Sequence, residues 1–161
     1  RQDALDGLGI LDQSSDVELD RLTTLVSDLF GMPFAAVTLI DSNRQSTAST
    51  SGMNRVDIAR KEAFCNIAIR RPEALVIHDA PRDPRYRNFV VVKDNPKIRF
   101  YAGYPIESKD GQRIGALCVM DVEPRSFTKG DSALLREVAQ RVQERLWALS
   151  ERGEGELSDS A

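Results

Sequence analysis

The sequence is poor in the residues from which metal sites and disulfide frameworks are built. Its 161 residues include only two cysteines, Cys65 and Cys118, and one histidine, His78. Zinc sites of the Cys/His kind use several such ligands at short spacings, and these three residues are scattered along the chain. We therefore expect no metal and no structural disulfide, and we predict two reduced, buried thiols in a cytoplasmic protein.

Long apolar runs and blocks of one charge are also missing. A membrane-spanning helix needs about 20 consecutive apolar residues, and no run approaches that length. The 22 basic and 25 acidic residues give a formal net charge of -3, without a long basic block. We expect no direct membrane contact and no nucleic-acid partner. The composition, 41% hydrophobic and 29% charged, is typical of a soluble globular domain.

Two helices are predicted towards the ends of the chain. Apolar residues recur at spacings of three and four in 16–31, with Asp16 among the candidate N-caps and Gly31 as a stop signal. A second stripe runs through 127–150, where Thr128 or Asp131 is the expected cap. The polar residues 151–161 are predicted to be a disordered tail, or a linker to an output domain in a longer chain.

Apolar and β-branched segments between these helices predict the strands of a sheet. The Asp110-Gly111 pair marks a hairpin turn, because glycine takes positive φ cheaply. Both arms of this hairpin are apolar on both faces, so we expect a sheet covered on both sides. Helices before and after antiparallel hairpins predict an α+β domain over residues 1–150. The predicted strands are 34–41, 45–53, 74–80, 98–107 and 113–121, and a short helix is predicted at 64–71.

The arm 98–107 brings aromatic and small residues together. Alternation places Phe100 and Tyr104 on one face of the strand, and Tyr101 and Gly103 on the other. A buried tyrosine needs a polar partner, and a glycine leaves room for a neighbouring group. This combination favours the wall of a small-molecule pocket, with close helix packing as the alternative.

Candidate catalytic groups do not form a convincing set. Cys65 lies near a predicted helix start, which favours a thiolate, but a buried structural thiol is the preferred interpretation for it and for Cys118. His78 and Asp79 are neighbours in a strand and point to opposite sides. Asp79 is interpreted as a turn cap, with a ligand-facing role as the alternative. We expect no catalysis by this domain alone.

Four stretches together resemble a GAF domain. They read ELDRLTTLVSDLFGMPFAAVTLID, AFCNIAI, LVIHDAPRDPR and IRFYAGYPIESKDGQRIGALCVMDVEPRSFT. The resemblance extends over nearly the whole chain, and its last stretch is the most specific. It resembles the bacterial subgroup found beside histidine kinase, diguanylate cyclase or phosphodiesterase output domains. The function this implies is a regulatory sensor domain within a longer signalling protein.

The resemblance also implies an architecture and sites. The family fold is a central antiparallel sheet of about five or six strands, with the terminal helices on one face and the segments of a ligand pocket on the other. It further implies an unidentified small-molecule ligand and a homodimer formed through the terminal helices. The pocket residues implied here are Phe64, Cys65, Asp79, Phe100, Tyr101, Gly103, Tyr104 and Cys118. The implied dimer positions on the last helix are Leu135, Val138, Val142, Trp147 and Leu149.

Some positions depart from the subgroup. Residues 46–48 replace a Trp-Phe-Lys-like stretch, and Ile67 stands where a histidine is common. Asn66 stands where bilin-binding relatives place a histidine beside the cysteine, so we expect no bilin, and we expect no haem. Two alternatives stay open: a structural dimerisation module without a ligand, and a thiol redox sensor or reductase built on Cys65 and Cys118.

Overall fold

The computed structural model of the protein describes residues 16–40, 45–54 and 62–159. Within these ranges, five strands form one antiparallel sheet in the order β2-β1-β5-β4-β3. This α+β architecture confirms the predicted fold class. The strands are β1 (Phe34–Ile40), β2 (Gln45–Ser51), β3 (Leu75–Ile77), β4 (Phe100–Glu107) and β5 (Arg113–Asp121). The helices are α1 (Val17–Phe30), α2 (Glu62–Ala68), α3 (Val90–Lys93) and α4 (Lys129–Asp159), with a 3-10 turn at Ala80–Arg82.

The sheet is covered on both sides, as the apolar hairpin predicted. α1 and α4 pack on one side, which we call the helix face. The apolar residues of that core include Leu19, Val26, Leu117 and Leu146. α2, α3 and the 3-10 turn pack on the other side, which we call the pocket face.

α1 begins and ends as its sequence predicted. Asp16 is the N-cap, and its Oδ2 accepts a hydrogen bond of 3.0 Å from the Leu19 amide. Gly31 ends the helix in the left-handed conformation, at φ 60°, which glycine adopts without the steric penalty of a side chain. Its amide donates to the Asp28 carbonyl at 3.2 Å.

The strand β2 carries a bulge that explains its weak sequence pattern. Val37 pairs with Ser49 and the next residue, Thr38, pairs with Thr47, so Ala48 is the additional residue. A bulge places two consecutive residues towards one face. Ala48 is accordingly part of the helix-face core, and Ser49 also points there. The Ser49 hydroxyl donates to Asp20 Oδ1 at 2.6 Å.

α4 starts with the predicted cap and runs further than predicted. The Thr128 amide donates to Asp131 Oδ2 at 2.9 Å, and the Asp131 amide donates to Thr128 Oγ1 at 3.1 Å. This reciprocal pair is a capping box. The helix continues through Asp159, beyond residue 150, where the predicted apolar stripe ended. Propagation adds one hydrogen bond per residue once a helix exists, which lets a polar segment extend it.

Candidate functional site

Small and large side chains occupy different rows on the pocket face of the sheet. Residues directly opposite each other in the ladder project from the same face, so the pairing register defines rows across the strands. We call the first two rows the small rows and the third the bulky row. The first small row contains Thr47, Thr38, Ala116 and Pro105, and the second contains Thr50, Ala36, Cys118, Gly103 and Leu75. The bulky row contains Phe34, Met120, Tyr101 and Ile77. Because interiors are close-packed, other groups must fill the space above the small rows.

Tyr101 fills part of this space by leaning from the bulky row towards the small rows. Its side chain is fully buried, and its hydroxyl donates a hydrogen bond of 3.4 Å to Cys65 Sγ on α2. Burial, followed by the neighbouring thiols of Cys65 and Cys118, raises the pKa of Tyr101 well above its ordinary value. The hydrogen bond with Cys65, together with burial, raises the pKa of Cys118. The phenol of Tyr101 and the thiol of Cys118 are therefore neutral, and Cys118 is not activated as a nucleophile.

Gly103 makes the position of the Tyr101 ring possible. A Cβ atom built on Gly103 would lie 2.3 Å from the Tyr101 hydroxyl oxygen. Any other residue at 103 would therefore push the hydroxyl away from Cys65. The glycine that lies two residues after Tyr101 thus leaves room for the Tyr101 ring to lie over the same strand.

An aromatic cluster covers the Tyr101 side of the pocket face. The ring centroid of Phe64 lies 5.0 Å from that of Tyr101, 5.3 Å from Phe89 and 5.8 Å from Tyr86. These separations are typical of favourable aromatic pairs. Phe64 is buried completely, so the cluster closes this half of the face against water.

Thr38, in the first small row, has a buried hydroxyl without a partner. The residue is 1% exposed, and among the residues that the structure describes none forms a hydrogen bond with its Oγ1. Its neighbours on the pocket face are the buried apolar residues Ala36, Ile40 and Ala116. A buried polar group left unpaired costs about 1–3 kcal/mol, and its one sign in the sequence is a threonine within an apolar strand.

The predicted pocket residues are divided between the two faces. Phe64, Cys65, Tyr101, Gly103 and Cys118 lie together on the pocket face. Phe100 and Tyr104 instead pack in the helix-face core, so their assignment to the pocket is wrong. The residues on both faces of β4 are buried, so hydrophobicity alone did not indicate which of them face the pocket and which face the helices.

Asp79 lies at the end of β3, where the chain enters the 3-10 turn. It occupies the N-cap position of that turn, but its side chain does not cap it. The carboxylate lies 3.4 Å from Nε of the exposed Arg82. Neighbouring His78 is exposed, and its Nδ1 lies 3.1 Å from the Arg125 carbonyl oxygen. Asp79 is thus a turn residue, and these contacts do not link it to the thiols.

The five positions predicted for helix pairing are used inside the protomer. The Trp147 Nε1 donates to the Glu107 carbonyl at 2.9 Å. The heptad-like spacing therefore reflects the packing of α4 on its own sheet, whereas a dimer contact of the half-buried Trp147 stays a prediction. The four predicted positions other than Trp147 are buried in the helix-face core: Leu135, Val138, Val142 and Leu149.

Exposed apolar side chains occur on α1 instead. Val17 is 75% exposed, Leu25 37% and Leu29 47%. Val17 and Leu25 also line an open groove along the outer side of this helix. Leu25 and Leu29 belong to the apolar spacing of 16–31, but the face of α1 that is buried does not include them.

An ion pair joins the start of α1 to the middle of α4. Arg145 Nε lies 3.0 Å from Asp16 Oδ2, and Arg145 Nη2 lies 2.8 Å from Asp16 Oδ1. The Arg145 hydrogen bonds hold the pKa of Asp16 below its ordinary value. This contact explains the arginine that interrupts the apolar stripe of α4, since the N-cap carboxylate of α1 faces that position.

A second arginine joins the end of α1 to the sheet. Arg125 Nε donates to Asp121 Oδ2 at 2.7 Å, and its Nη2 donates to the Gly31 carbonyl at 2.7 Å. The Arg125 amide also donates to the His78 carbonyl at 3.2 Å. Asp121 is 4% exposed. Sequence reasoning missed this joint: the i,i+4 spacing of Asp121 and Arg125 was visible, but the Gly31 carbonyl lies 94 residues away in the sequence.

Neither a metal site nor a membrane span emerges from these residues. In the described part of the chain, no three His, Cys, Asp or Glu side chains are grouped so that they could share a metal ion. Among the same residues, none of the helices combines the length and apolarity that crossing a membrane requires.

A five-stranded antiparallel sheet with α1 and α4 on one face, and with α2, α3 and the 3-10 turn on the other, defines an α+β domain. The chain belongs to the GAF domain family, whose model matches residues 15–146. This confirms the resemblance that the sequence motifs indicated, and it places the chain among domains of signalling proteins.

One curated relative matches most of this chain. A cyclic di-GMP phosphodiesterase of Pseudomonas aeruginosa is 33% identical over 150 residues, which make up 92% of this chain and 26% of that protein. The chain thus spans about a quarter of the length of this curated relative.

Solved structures share the fold at low sequence identity. The GAF domain of a phosphoenolpyruvate-protein phosphotransferase from Coxiella burnetii has a TM-score of 0.69 at 16% identity, over 94% of this chain and 96% of that one. A free methionine-R-sulfoxide reductase from Neisseria meningitidis has a TM-score of 0.65 at 20% identity, over 92% and 88%. At such identities the likeness concerns the fold alone.

Proposed function

We propose that this domain is a regulatory sensor that binds a small molecule on the pocket face and passes the signal through its terminal helices. The observation that carries the proposal is the division of the sheet. One face has small rows beneath α2, and the other face is tied to α1 and α4. A ligand that binds one packing state better than another shifts the population of that state, and the helices on the opposite face respond.

The joints at both ends of α1 support a route for that signal. Arg125 follows β5 directly and contacts the carboxyl end of α1, whereas Arg145 of α4 contacts its amino end. A shift of β5 in the sheet therefore acts on both terminal helices. In the whole protein we propose that α4 leads to a cytoplasmic output domain, a kinase or a cyclic di-GMP enzyme, as the name of the Pseudomonas relative suggests.

The domain itself is proposed to be non-catalytic. The groups nearest to the small rows, the thiol of Cys118 and the phenol of Tyr101, are buried with raised pKa values. General acid–base catalysis needs groups whose pKa lies near the working pH, and both of these titrate well above it.

Dimerisation is proposed to use the exposed apolar side of α1, rather than the buried stripe of α4. Val17, Leu25 and Leu29 leave apolar area in water that a second copy of the chain would cover. Arg21 and Asp28, near opposite ends of α1, line the same groove, so two antiparallel copies of α1 would place these opposite charges near each other.

We expect Leu25→Glu to dissociate this dimer. A carboxylate buried in an apolar contact is unfavourable, so the dimer dissociation constant should rise at least about tenfold. Sedimentation velocity over a concentration series measures it. Val90→Glu is the matched control, because Val90 is 68% exposed but lies on α3. Identical sedimentation of the wild type and both variants would contradict the α1 interface.

One observation favours a second candidate function, a thiol redox enzyme or sensor. Cys65 and Cys118 both contact the Tyr101 hydroxyl, so the two thiols share one small site. Reduction of a sulfoxide by two thiols forms a disulfide and releases water, with two electrons leaving the sulfurs. Loss of methionine R-sulfoxide in the presence of dithiothreitol, abolished by Cys65→Ser, would establish this function instead.

A further inference from the structure

We propose that the tip of the β4–β5 hairpin and one row of α4 side chains form a latch that couples the sheet to the carboxyl-terminal turns of α4. This hairpin latch consists of Glu107 and Lys109 on the hairpin and of Gln143, Trp147 and Glu151 on α4. The inference rests on the proposed sensor function and names the contact through which the sheet controls the output helix.

Three successive turns of α4 contact the hairpin. Gln143 Oε1 accepts a hydrogen bond of 2.7 Å from the Glu107 amide. Trp147 Nε1 donates to the carbonyl oxygen of the same residue at 2.9 Å, and Glu151 forms an ion pair with Lys109. Residues four apart lie on one side of a helix, so the three α4 side chains form a row of roughly 12 Å.

The two hydrogen bonds of the latch depend on the backbone of one hairpin residue. Both polar backbone groups of Glu107 are bonded to α4, so a rotation or slide of β4 at this point changes both bonds together. β5 has a bulge opposite this residue, with Ile114 as the additional residue. Bulges increase the local twist of a strand pair, which lets the end of β4 turn towards α4.

The short strand β3 leaves this end of β4 accessible to α4. β3 pairs with residues 101–103, so the ladder between these two strands ends four residues before Glu107. Sheet edges carry unpaired backbone groups, and proteins often cover them with a helix or loop. Gln143 and Trp147 bind the backbone groups at the end of this edge, so α4 takes the place of a neighbouring strand there.

The hairpin also carries residues of the pocket face, which gives the latch its place in signalling. Tyr101 on β4 and Cys118 on β5 both belong to the pocket-face core. On α4, Leu149 is the last residue in the helix-face core, and the helix continues through Asp159. Because Glu151 lies beyond the core, the latch connects the hairpin to the turns that follow it.

Hydrogen exchange followed by NMR tests the latch without any ligand. Gln143→Ala removes the acceptor of the Glu107 amide. We expect the protection factors of this amide, of the Trp147 indole proton and of the amides of residues 152–158 each to fall at least about threefold, within the range of one net hydrogen bond. The chain has one tryptophan, so the indole signal is unambiguous. Alanine is the best helix former, so helix propensity alone predicts the opposite change.

Glu107→Ala is the matched control, because it removes an exposed side chain and keeps both backbone groups. It should leave all of these protection factors unchanged. The amides of residues 135–142 are the internal reference and should keep their wild-type protection in both variants.

Loss of protection at the Glu107 amide alone would show that the two hydrogen bonds act independently, and would overturn the latch. Unchanged protection of residues 152–158 would overturn its coupling to the output helix. Either result leaves the sensor function standing, since no ligand is used. A domain that purifies without a bound small molecule would instead contradict the sensor function and leave the latch standing.

Discussion

Arg125→Ala should be among the most destabilising substitutions of an exposed or half-buried residue in this domain. It leaves the buried Asp121 carboxylate without its cation and the Gly31 carbonyl without its donor. Removing one partner of a buried ion pair costs about 3–5 kcal/mol. The Arg125 side chain is 33% exposed, so we expect about 3 kcal/mol, or a fall in Tm of roughly 6–12 °C. Urea unfolding measures the change.

Arg85→Ala is the control for this prediction. Arg85 also contacts a carboxylate through two nitrogens, with Nε 3.0 Å from Asp83 Oδ1 and Nη2 2.8 Å from Asp83 Oδ2. Its side chain is 67% exposed, and exposed pairs contribute about 0–1 kcal/mol. A similar loss of stability in both variants would show that Arg125 acts only as a surface charge, and would remove it from the proposed signal route.

Asp16→Ala should destabilise the domain by about 2–3 kcal/mol, because one carboxylate performs two tasks. It caps α1, which is worth about 1 kcal/mol, and it pairs with Arg145 through charge-assisted hydrogen bonds worth about 1.5–3 kcal/mol. Asp16→Asn keeps a capping oxygen and loses the charge, so its effect should be smaller. Chemical denaturation of both variants and of Arg145→Gln gives the coupling between the two residues.

The same pair predicts a pH dependence. The pKa of Asp16 is lowered in the folded state, chiefly by the Arg145 hydrogen bonds. Its contribution is therefore complete above the unfolded pKa near 3.9, and it is lost as the pH falls through the folded value. The difference in unfolding free energy between wild type and Asp16→Asn should be constant above about pH 5 and shrink below pH 4. A difference that stays constant down to pH 2 would contradict the ion pair. Arg21→Ala, which removes an exposed contact with Glu18, is the neutral control.

Local signals in the sequence predicted the fold well because each acts within a few residues. Asp16, Gly31, Gly111 and the Thr128 cap are all decided by backbone conformation at one position. Gly111 illustrates this, with φ at 82° and its amide bonded to the Ser108 carbonyl at 3.0 Å. β2 was harder to predict, because its bulge depends on the pairing with β1 and leaves no pattern in the strand alone.

The site was predicted only in part because its geometry is set by residues distant in sequence. Tyr101 has two thiol neighbours, Cys65 from α2 and Cys118 from β5. The family resemblance, and not their spacing in the sequence, predicted that all three lie in one site. The unpaired state of Thr38 depends on what its row neighbours lack, which a single strand does not reveal. The buried apolar positions of α4 could not be distinguished from a dimer stripe in the sequence, because one apolar stripe serves equally for packing within and between protomers.

A native mass spectrum of the freshly purified domain tests the central claim most directly. The account predicts a dimer in which each protomer carries the additional mass of one small molecule, released on denaturation. Dimers of bare protomer mass would contradict the ligand site and favour a structural dimerisation module. Bare monomers would contradict both the ligand and the α1 interface.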